Sequence, residues 1–247
     1  GAPIDADVYV GLNVDDLIRI DEELDDPLFD PLAGDLDGAD AIKEGVRFDP
    51  EGRAIPYDTG YISLVYDENE VEPPETFEDL LADEYAGDLI VQNAQSSATG
   101  RAFLLHTVKA NGEDAYNAYS NGEAPMVVSY STDQIYYADD PDADLSRHQI
   151  AFLNGEAYAN PEGMGRFAAS DAPDLARSFV EFLLTPDAQG EIARRNVQYP
   201  ATTNANLPES FAEHTFEPEE PVTFTYEELR GNVDGWVDRW AREIAGG

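Results

Sequence analysis

Tyrosine side chains are the groups in this sequence best suited to bind a small molecule. The face of a tyrosine ring attracts a desolvated cation by about 0.5 to 2 kcal/mol. Ligands of α/β folds bind in loops and at the ends of strands. The tyrosines predicted to lie at such places are Tyr57, Tyr61, Tyr130, Tyr136, Tyr137 and Tyr199. They are candidate contacts for a small molecule, with ordinary half-buried packing as the alternative for each ring.

Polar groups close in sequence to these tyrosines could complete such a site. Asp58 could give a bound cation its negative partner, or it could be a turn residue that hydrogen-bonds its own backbone. Ser96, Ser97 and Thr99 precede a predicted helix, where they could bind a phosphate or simply cap the helix. The complete set of predicted ligand-binding residues is Tyr57, Asp58, Tyr61, Ser96, Ser97, Thr99, Tyr130, Ser131, Tyr136 and Tyr199.

Catalytic chemistry finds little support in the sequence. Of the three histidines, His106 lies in an apolar predicted helix and is expected to pack in the core, whereas His148 and His214 lie in polar loops. Motifs of serine hydrolases, zinc proteases and phosphate loops do not occur. Because the chain has 52 acidic residues, neighbouring carboxylates occur throughout it and do not indicate a catalytic site. We expect no catalytic residue, metal ligand or cofactor; a carboxylate-based hydrolase and a non-binding scaffold protein rank as low alternatives.

The charge balance of the chain is extreme. The formal net charge is −38, from 52 acidic and 14 basic side chains, and Lys43 and Lys109 are its two lysines. Salt screens such repulsion over about 8 Å at physiological ionic strength and about 3 Å at molar salt. We therefore expect a halophilic protein whose acidic surface is most stable in high salt. Nucleic acid is excluded as a partner, because binding its phosphates requires clustered Lys and Arg.

Cysteine is absent, which excludes disulfides, thiol nucleophiles and Cys-ligated zinc. No apolar run approaches the roughly 20 residues of a membrane span, and the amino end carries no signal-peptide pattern. If the protein is exported, we expect that its signal and any lipid anchor have been removed from this sequence.

Alternating strand and helix patterns predict an α/β fold. A carboxylate-bearing turn is predicted around Tyr57–Gly60. Strands are predicted over Asp5–Leu12, Tyr61–Tyr66, Asp88–Asn93, Met126–Ser129 and Gln149–Leu153. Helices are predicted over Asp15–Leu24, Thr76–Leu81, Pro173–Leu184, Pro186–Arg195 and Tyr226–Ile244, and from about Thr99 onward. In the helix from Pro173, one apolar face carries Leu175, Phe179, Phe182 and Leu183.

Four sequence blocks resemble the thiamine-binding branch of the extracytoplasmic solute-binding proteins that serve ABC transporters. They read I-P-Y-D-T-G-Y-I-S-L-V-Y-D from Ile55, Q-S-S-A-T-G from Gln95, G-E-A-P-M-V-V-S-Y-S-T from Gly122 and N-V-Q-Y-P-A from Asn196. The resemblance runs along nearly the whole chain. It implies a two-lobed periplasmic-binding-protein-like α/β fold of type II, with a ligand cleft between lobe 1 (residues 1–66 and 158–205) and lobe 2 (67–157 and 206–247).

The resemblance also implies a function. The protein would capture thiamine or a thiamine phosphate outside the cytoplasm and deliver it to the membrane permease of an importer, without covalent chemistry. Ser97, Tyr130 and Tyr136 stand where the family places ligand contacts. We expect a monomer that is anchored to the membrane through a removed N-terminal segment.

Departures from the family pattern leave other ligands open. Val197 stands where the family commonly has tryptophan, and valine cannot stack on an aromatic ring. The family's first strand and helix would precede Ala6, and a further helix and strand would stand near Asn111–Tyr116. We expect these segments to be omitted from the sequence rather than lost by the protein. Tyr136 and Tyr137 resemble the tyrosine pair that holds ferric ion in iron-binding relatives. Ferric iron and an organophosphonate are therefore the alternative ligands.

Overall fold

The computed structural model describes residues 5–32, 36–111, 125–137 and 140–244. They form two compact units. Unit 1 comprises Gly1–Thr59, Pro161–Pro208 and Thr225–Arg230, and unit 2 comprises Gly60–Asn160, Glu209–Phe224 and Gly231–Gly247. The α/β class predicted from the sequence is confirmed, because strands and helices alternate along most of the chain.

The regular elements are named here in chain order. The strands are β1 Val8–Leu12, β2 Phe29–Asp30, β3 Ala54–Tyr66, β4 Leu89–Ile90, β5 Met126–Tyr130, β6 Gln149–Ala151, β7 Glu156–Phe167, β8 Tyr199–Pro200 and β9 Glu220–Val222. The α-helices are α1 Val14–Glu23, α2 Ala98–Asn111, α3 Pro173–Leu183, α4 Pro186–Ile192, α5 Glu209–Glu213, α6 Tyr226–Leu229 and α7 Val233–Ile244. A π-helical turn, Ala193–Val197, continues α4. Both β3 and β7 contribute residues to both units.

Unit 1 is built on the ends of the two long strands. The second half of β7 pairs antiparallel with β1 and with β2, and the first half of β3 pairs antiparallel with β8. Helix α1 buries Val14, Leu17 and Ile18, while Asp15 and Asp16 lie in its first turn, where the helix dipole favours negative charge. The buried core of this unit comprises Leu32, Leu36, Ile42, Val46, Ile55, Tyr57, Met164, Val180, Leu184 and Ala201.

Unit 2 has β5 at the centre of its sheet. One side of β5 pairs antiparallel with the second half of β3, and the other pairs in parallel with β4. Helix α2 packs against β5. Its first turn needs Gly100, because a Cβ there would stand 2.3 Å from the Gln92 carbonyl oxygen. Farther along unit 2, β6 pairs with β3 and β9 pairs with the first residues of β7.

Most predicted elements are confirmed in place, but one predicted turn is wrong and four strands were not predicted. Strand β3 begins at Ala54, so Tyr57–Gly60 lie inside a strand and not in the predicted turn. The strands that were not predicted are β2, β7, β8 and β9. The longest of them, β7, contains Pro161, Gly163 and Gly165. Both glycines make room for aromatic rings: a Cβ at Gly163 would stand 2.8 Å from Phe48, and one at Gly165 2.7 Å from Phe29.

Three helical predictions need correction. The Thr76–Leu81 helix is reduced to one 3-10 turn over Asp79–Leu81, although Thr76 and Asp79 exchange the expected capping bonds. The helix predicted over Tyr226–Ile244 is two helices, α6 and α7, because Gly231 adopts a positive φ of 74° between them. The apolar face of α3 is largely exposed, since its buried residues are Ala176 and Val180.

Two further observations concern particular segments. Residues 112–116, where the resemblance implies a further helix and strand, and residues 122–124 at the start of the third sequence block lie outside the described residues. Across the described parts of the chain, no helix combines the length and the apolar character needed to cross a membrane.

Candidate functional site

The predicted ligand-binding residues divide between the two units. Unit 1 holds Tyr57, Asp58 and Tyr199; unit 2 holds Tyr61, Ser96, Ser97, Thr99, Tyr130, Ser131 and Tyr136. Each group has its own local geometry.

Asp58 is the most unusual of these residues. Its side chain is fully buried, although it lies in the middle of an aromatic and polar stretch of β3. The Oδ2 atom accepts a hydrogen bond from Asn196 Nδ2 at 2.5 Å, whereas Oδ1 has no hydrogen-bond partner among the described residues. Burial, together with the negative charge of Glu162, raises the pKa of Asp58 well above its ordinary value, and the bond from Asn196 opposes this only in part.

Glu162 of β7 is a functional candidate that the sequence did not indicate. Its Oε2 accepts a hydrogen bond from the Tyr57 hydroxyl at 2.5 Å, across 105 positions of sequence. The backbone carbonyl of Tyr57 accepts hydrogen bonds from Gln189 Nε2 at 3.0 Å and from the Ala201 amide at 3.2 Å, which fixes this part of β3. Unit 1 therefore places Glu162 at the Tyr57 hydroxyl and near enough to Asp58 for their charges to interact.

Unit 1 also contains a mostly apolar cavity of about 520 Å³, which neither carboxyl group lines. Tyr57 and Asn196, the two residues that hold the carboxyl groups, both line it. The other lining residues come from α3, α4 and the turn that follows: Phe182, Leu183, Asp187, Ala188, Glu191, Ile192 and Arg195. Next to Asn196, the buried Val197 has φ of 55°, a strained conformation for a β-branched residue. Tyr199, two residues on, is buried in β8.

In unit 2, Tyr61, Tyr130 and Ser131 lie together where β3 and β5 pair. The Ser131 amide donates to the Tyr61 carbonyl at 2.9 Å, and the Tyr130 hydroxyl accepts from Asn160 Nδ2 at 3.0 Å. Ser131 is fully buried, and its Oγ has no partner among the residues described. Burial, and then the charge of Glu217, raises the pKa of Tyr61.

The serines before α2 act as a helix cap in the structure. Ser97 Oγ accepts a hydrogen bond from the Gly100 amide at 3.2 Å, and the Ser97 amide donates to the Asn93 carbonyl at 2.9 Å. Ser96 is exposed and Thr99 is half-buried. The capping alternative thus describes the geometry of Ser97, and Ser96 remains open to solvent.

Tyr136 and Tyr137 have different surroundings. The Tyr136 side chain is 68% exposed. The Tyr137 ring packs on the imidazole of His148 with a centroid separation of 3.9 Å, and His148 Nδ1 lies 3.0 Å from Asp133 Oδ2. No group of three or more His, Asp or Glu side chains that could hold a metal ion occurs within the described residues.

Two arrangements bear on catalysis. Ser129 donates its hydroxyl proton to Asp133 at 3.2 Å, and the same carboxylate contacts His148, so the serine is bonded to the acid and not to an imidazole base. His106 packs in the core as predicted, in a T-shaped contact with Phe77 whose ring centroids are 4.9 Å apart, and burial lowers its pKa to about 4. Neither arrangement activates a nucleophile.

Comparisons with known proteins identify the family. Two models described as bacterial extracellular solute-binding protein match residues 22–144 and 100–217, which together span 22–217. The thiamine-binding periplasmic protein of Escherichia coli K12 is 28% identical over 213 residues, covering 77% of this chain and 64% of that protein. The chain thus spans less than two thirds of the length of this relative.

Solved structures agree with this match. A periplasmic thiamin binding protein superposes with a TM-score of 0.81 and 27% identity, covering 97% of this chain and 79% of that one. The ferric binding protein from Campylobacter jejuni shares the fold, with a TM-score of 0.78 and 16% identity over 98% of this chain and 85% of that one. The predicted two-lobed fold class and the resemblance to the thiamine-binding branch are confirmed, and the chain belongs to the extracellular solute-binding proteins.

Proposed function

We propose that this protein is the substrate-binding component of an ABC importer that captures thiamine or a thiamine phosphate. The observation that carries the proposal is its similarity, over 97% of the chain, to a structure named for thiamin binding. The protein would act outside the cytoplasm as a monomer, dock on a permease and perform no catalysis. A ligand position between two lobes and attachment to the membrane remain predictions from the sequence.

The side chains fit a ligand with a fixed positive charge and flat rings. Thiamine carries a cationic thiazolium and an aminopyrimidine. In unit 1, Glu162 supplies negative charge at the Tyr57 hydroxyl, and the Asp58 carboxyl would add a second negative charge on ionising. In unit 2, the half-buried rings of Tyr61 and Tyr130 and the exposed ring of Tyr136 offer aromatic faces. Val197 supplies no ring for stacking, so these tyrosines would carry the aromatic contacts.

Ferric iron is the second candidate, because the fold is shared with a ferric binding protein. The side chains favour it less. Tyr137 packs on His148, and the described residues contain no cluster of metal-ligating His, Asp and Glu. A hard ferric ion would need several oxygen ligands converging on one point.

Thermal shift measurements distinguish these ligands. The protein is unfolded and refolded in molar salt to strip bound ligand, then melted with thiamine, thiamine monophosphate, ferric citrate or a phosphonate. A ligand at 1,000 times its Kd stabilises the fold by about 4.1 kcal/mol, which raises Tm by roughly 8 to 16 °C. Such a shift with thiamine or its phosphate supports the proposal. A shift with ferric citrate alone would show that the protein binds iron and not thiamine.

A further inference from the structure

The Asp58 carboxyl lies in surroundings that do not favour its ionised form. A buried carboxylate is stable when several donors hydrogen-bond to its oxygens. Asp58 is fully buried and receives one such bond, from Asn196 to Oδ2. Its Oδ1 has no partner within the described part of the chain. A proton on Oδ1 would remove the charge and leave the bond from Asn196 in place.

The charged groups around Asp58 also disfavour its ionised form. Three elements pack against it: β8 places Pro200 opposite it in the strand pair, the π-helical turn contributes Asn196, and β7 contributes Glu162. Glu162 is acidic and repels a second negative charge. Among the described residues, no basic side chain forms an ion pair with Asp58 or Glu162.

The basic residue that lines the cavity of about 520 Å³ already bonds a carboxylate. Arg195 lines that cavity, and its Nε bonds Glu191 at 2.7 Å. Among the described residues, the Asp58 and Glu162 carboxyl groups therefore lack a positively charged partner. A cationic ligand could supply it.

We propose that Asp58 carries a proton in the ligand-free protein and releases it to solvent when a cationic ligand binds beside Glu162, so that cation capture is linked to proton release. The linkage rests on the proposed function, and it adds a specificity-determining residue to it. Burial and the charge of Glu162 raise the pKa of Asp58, as this requires. The exchange is balanced: one O–H bond of the Asp58 carboxyl breaks, its electrons stay on the carboxylate, and the proton goes to water as the ligand charge arrives.

Tyr57 and Asn196 provide the structural connection. Tyr57 hydrogen-bonds Glu162, Asn196 hydrogen-bonds Asp58, and both Tyr57 and Asn196 line the cavity of about 520 Å³. A cation that meets the half-buried Glu162 removes the repulsion that keeps Asp58 neutral. Affinity for the cation should then fall about tenfold for each unit by which pH drops below the pKa of Asp58.

Calorimetry with thiamine in molar salt at pH 7 measures the linkage. Titrations in phosphate and in Tris, whose heats of ionisation differ, give the number of protons released. The wild type should release close to one proton for each thiamine bound. The Asp58→Asn variant should bind thiamine and release almost no protons. Asp174→Asn, which removes an exposed carboxylate from α3, is the matched control and should behave as the wild type. Thiamine binding by the wild type without proton release would overturn the inference.

Infrared spectroscopy supplies a readout that does not depend on the ligand. A protonated carboxyl gives a C=O band separate from the carboxylate bands. The ligand-free wild type should show it at pH 7, and Asp58→Asn should lack it. Absence of the band in the wild type refutes the inference whatever thiamine does. If the band is present and thiamine does not bind, the proposed function fails and the linkage fails with it, while Asp58 is still shown to be protonated.

Discussion

Replacing Arg53 with Met should destabilise unit 1 by about 3 to 5 kcal/mol, the usual cost of removing one partner of a buried ion pair. The Arg53 side chain is 6% exposed and donates to Asp21 at 2.7 and 2.9 Å and to Asp49 at 3.1 Å. Burial lowers the pKa of Arg53, but the hydrogen bonds to the two carboxylates outweigh it and raise that pKa above its ordinary value. The Asp49 side chain is completely buried, so the variant leaves a negative charge without its cation.

Thermal melting followed by circular dichroism measures the effect. For a chain of this size, each kcal/mol lowers Tm by about 2 to 4 °C, so Arg53→Met should lower it by about 6 to 20 °C. Arg195→Met is the control, because Arg195 and Glu191 form an exposed pair with 71% and 57% side-chain exposure. Such pairs contribute at most about 1 kcal/mol. Equal Tm shifts in the two variants would refute the reasoning from burial.

Three other predictions address acid stability, salt and the ligand. Because burial lowers the pKa of His106 to about 4, the unfolded chain binds a proton that the folded chain does not between pH 6.5 and 4. Unfolding free energy should therefore fall by about 3 kcal/mol as pH drops through that window, and urea titrations of His106→Leu should lack this fall. Tm should rise between 0.2 and 3 M KCl, since salt screens the net charge of −38. An equal Tm at the two KCl concentrations would contradict this prediction. Ala in place of Tyr130 or Tyr136 should each weaken thiamine binding more than tenfold, with Tyr130→Phe much less affected; unchanged affinity in both Ala variants would disprove these contacts.

The sequence predicted elements well where their residues follow a regular apolar period. Helix α7 was expected from its apolar stripe and is present, with Trp236 and Trp240 of that stripe buried. Strand β7 was missed because Pro161, Gly163 and Gly165 weaken a strand pattern. Its glycines are explained by Phe48 and Phe29, which lie more than 100 positions away in sequence. Contacts at that separation leave no local signal.

The exposed face of α3 shows a second limit of prediction from the sequence. Regular spacing placed Leu175, Phe179 and Phe182 on one face, and an apolar face is ordinarily the buried one. In the structure these side chains are 70%, 42% and 60% exposed, and the helix packs through Ala176 and Val180 instead. Spacing identifies which residues share a face, but it does not determine which face packs.

Some residues of the candidate site were singled out from the sequence, but their arrangement was not predicted. Asp58 and Tyr57 were both singled out, yet their turn is a buried strand, and Asp58 bonds to Asn196 and not to its own backbone. Nothing in the sequence distinguishes Glu162 from the other acidic residues, of which the chain has 52 in all. Its importance follows from its contact with Tyr57 across 105 positions of sequence.

Isothermal titration calorimetry of the refolded, ligand-free protein with thiamine in molar salt tests the central claim most directly. A receptor of this kind should bind thiamine or its monophosphate one to one and tightly, and Ala at Tyr130 should weaken that binding. Absence of binding heat with either compound, alongside one-to-one binding of ferric citrate or a phosphonate, would contradict the thiamine assignment.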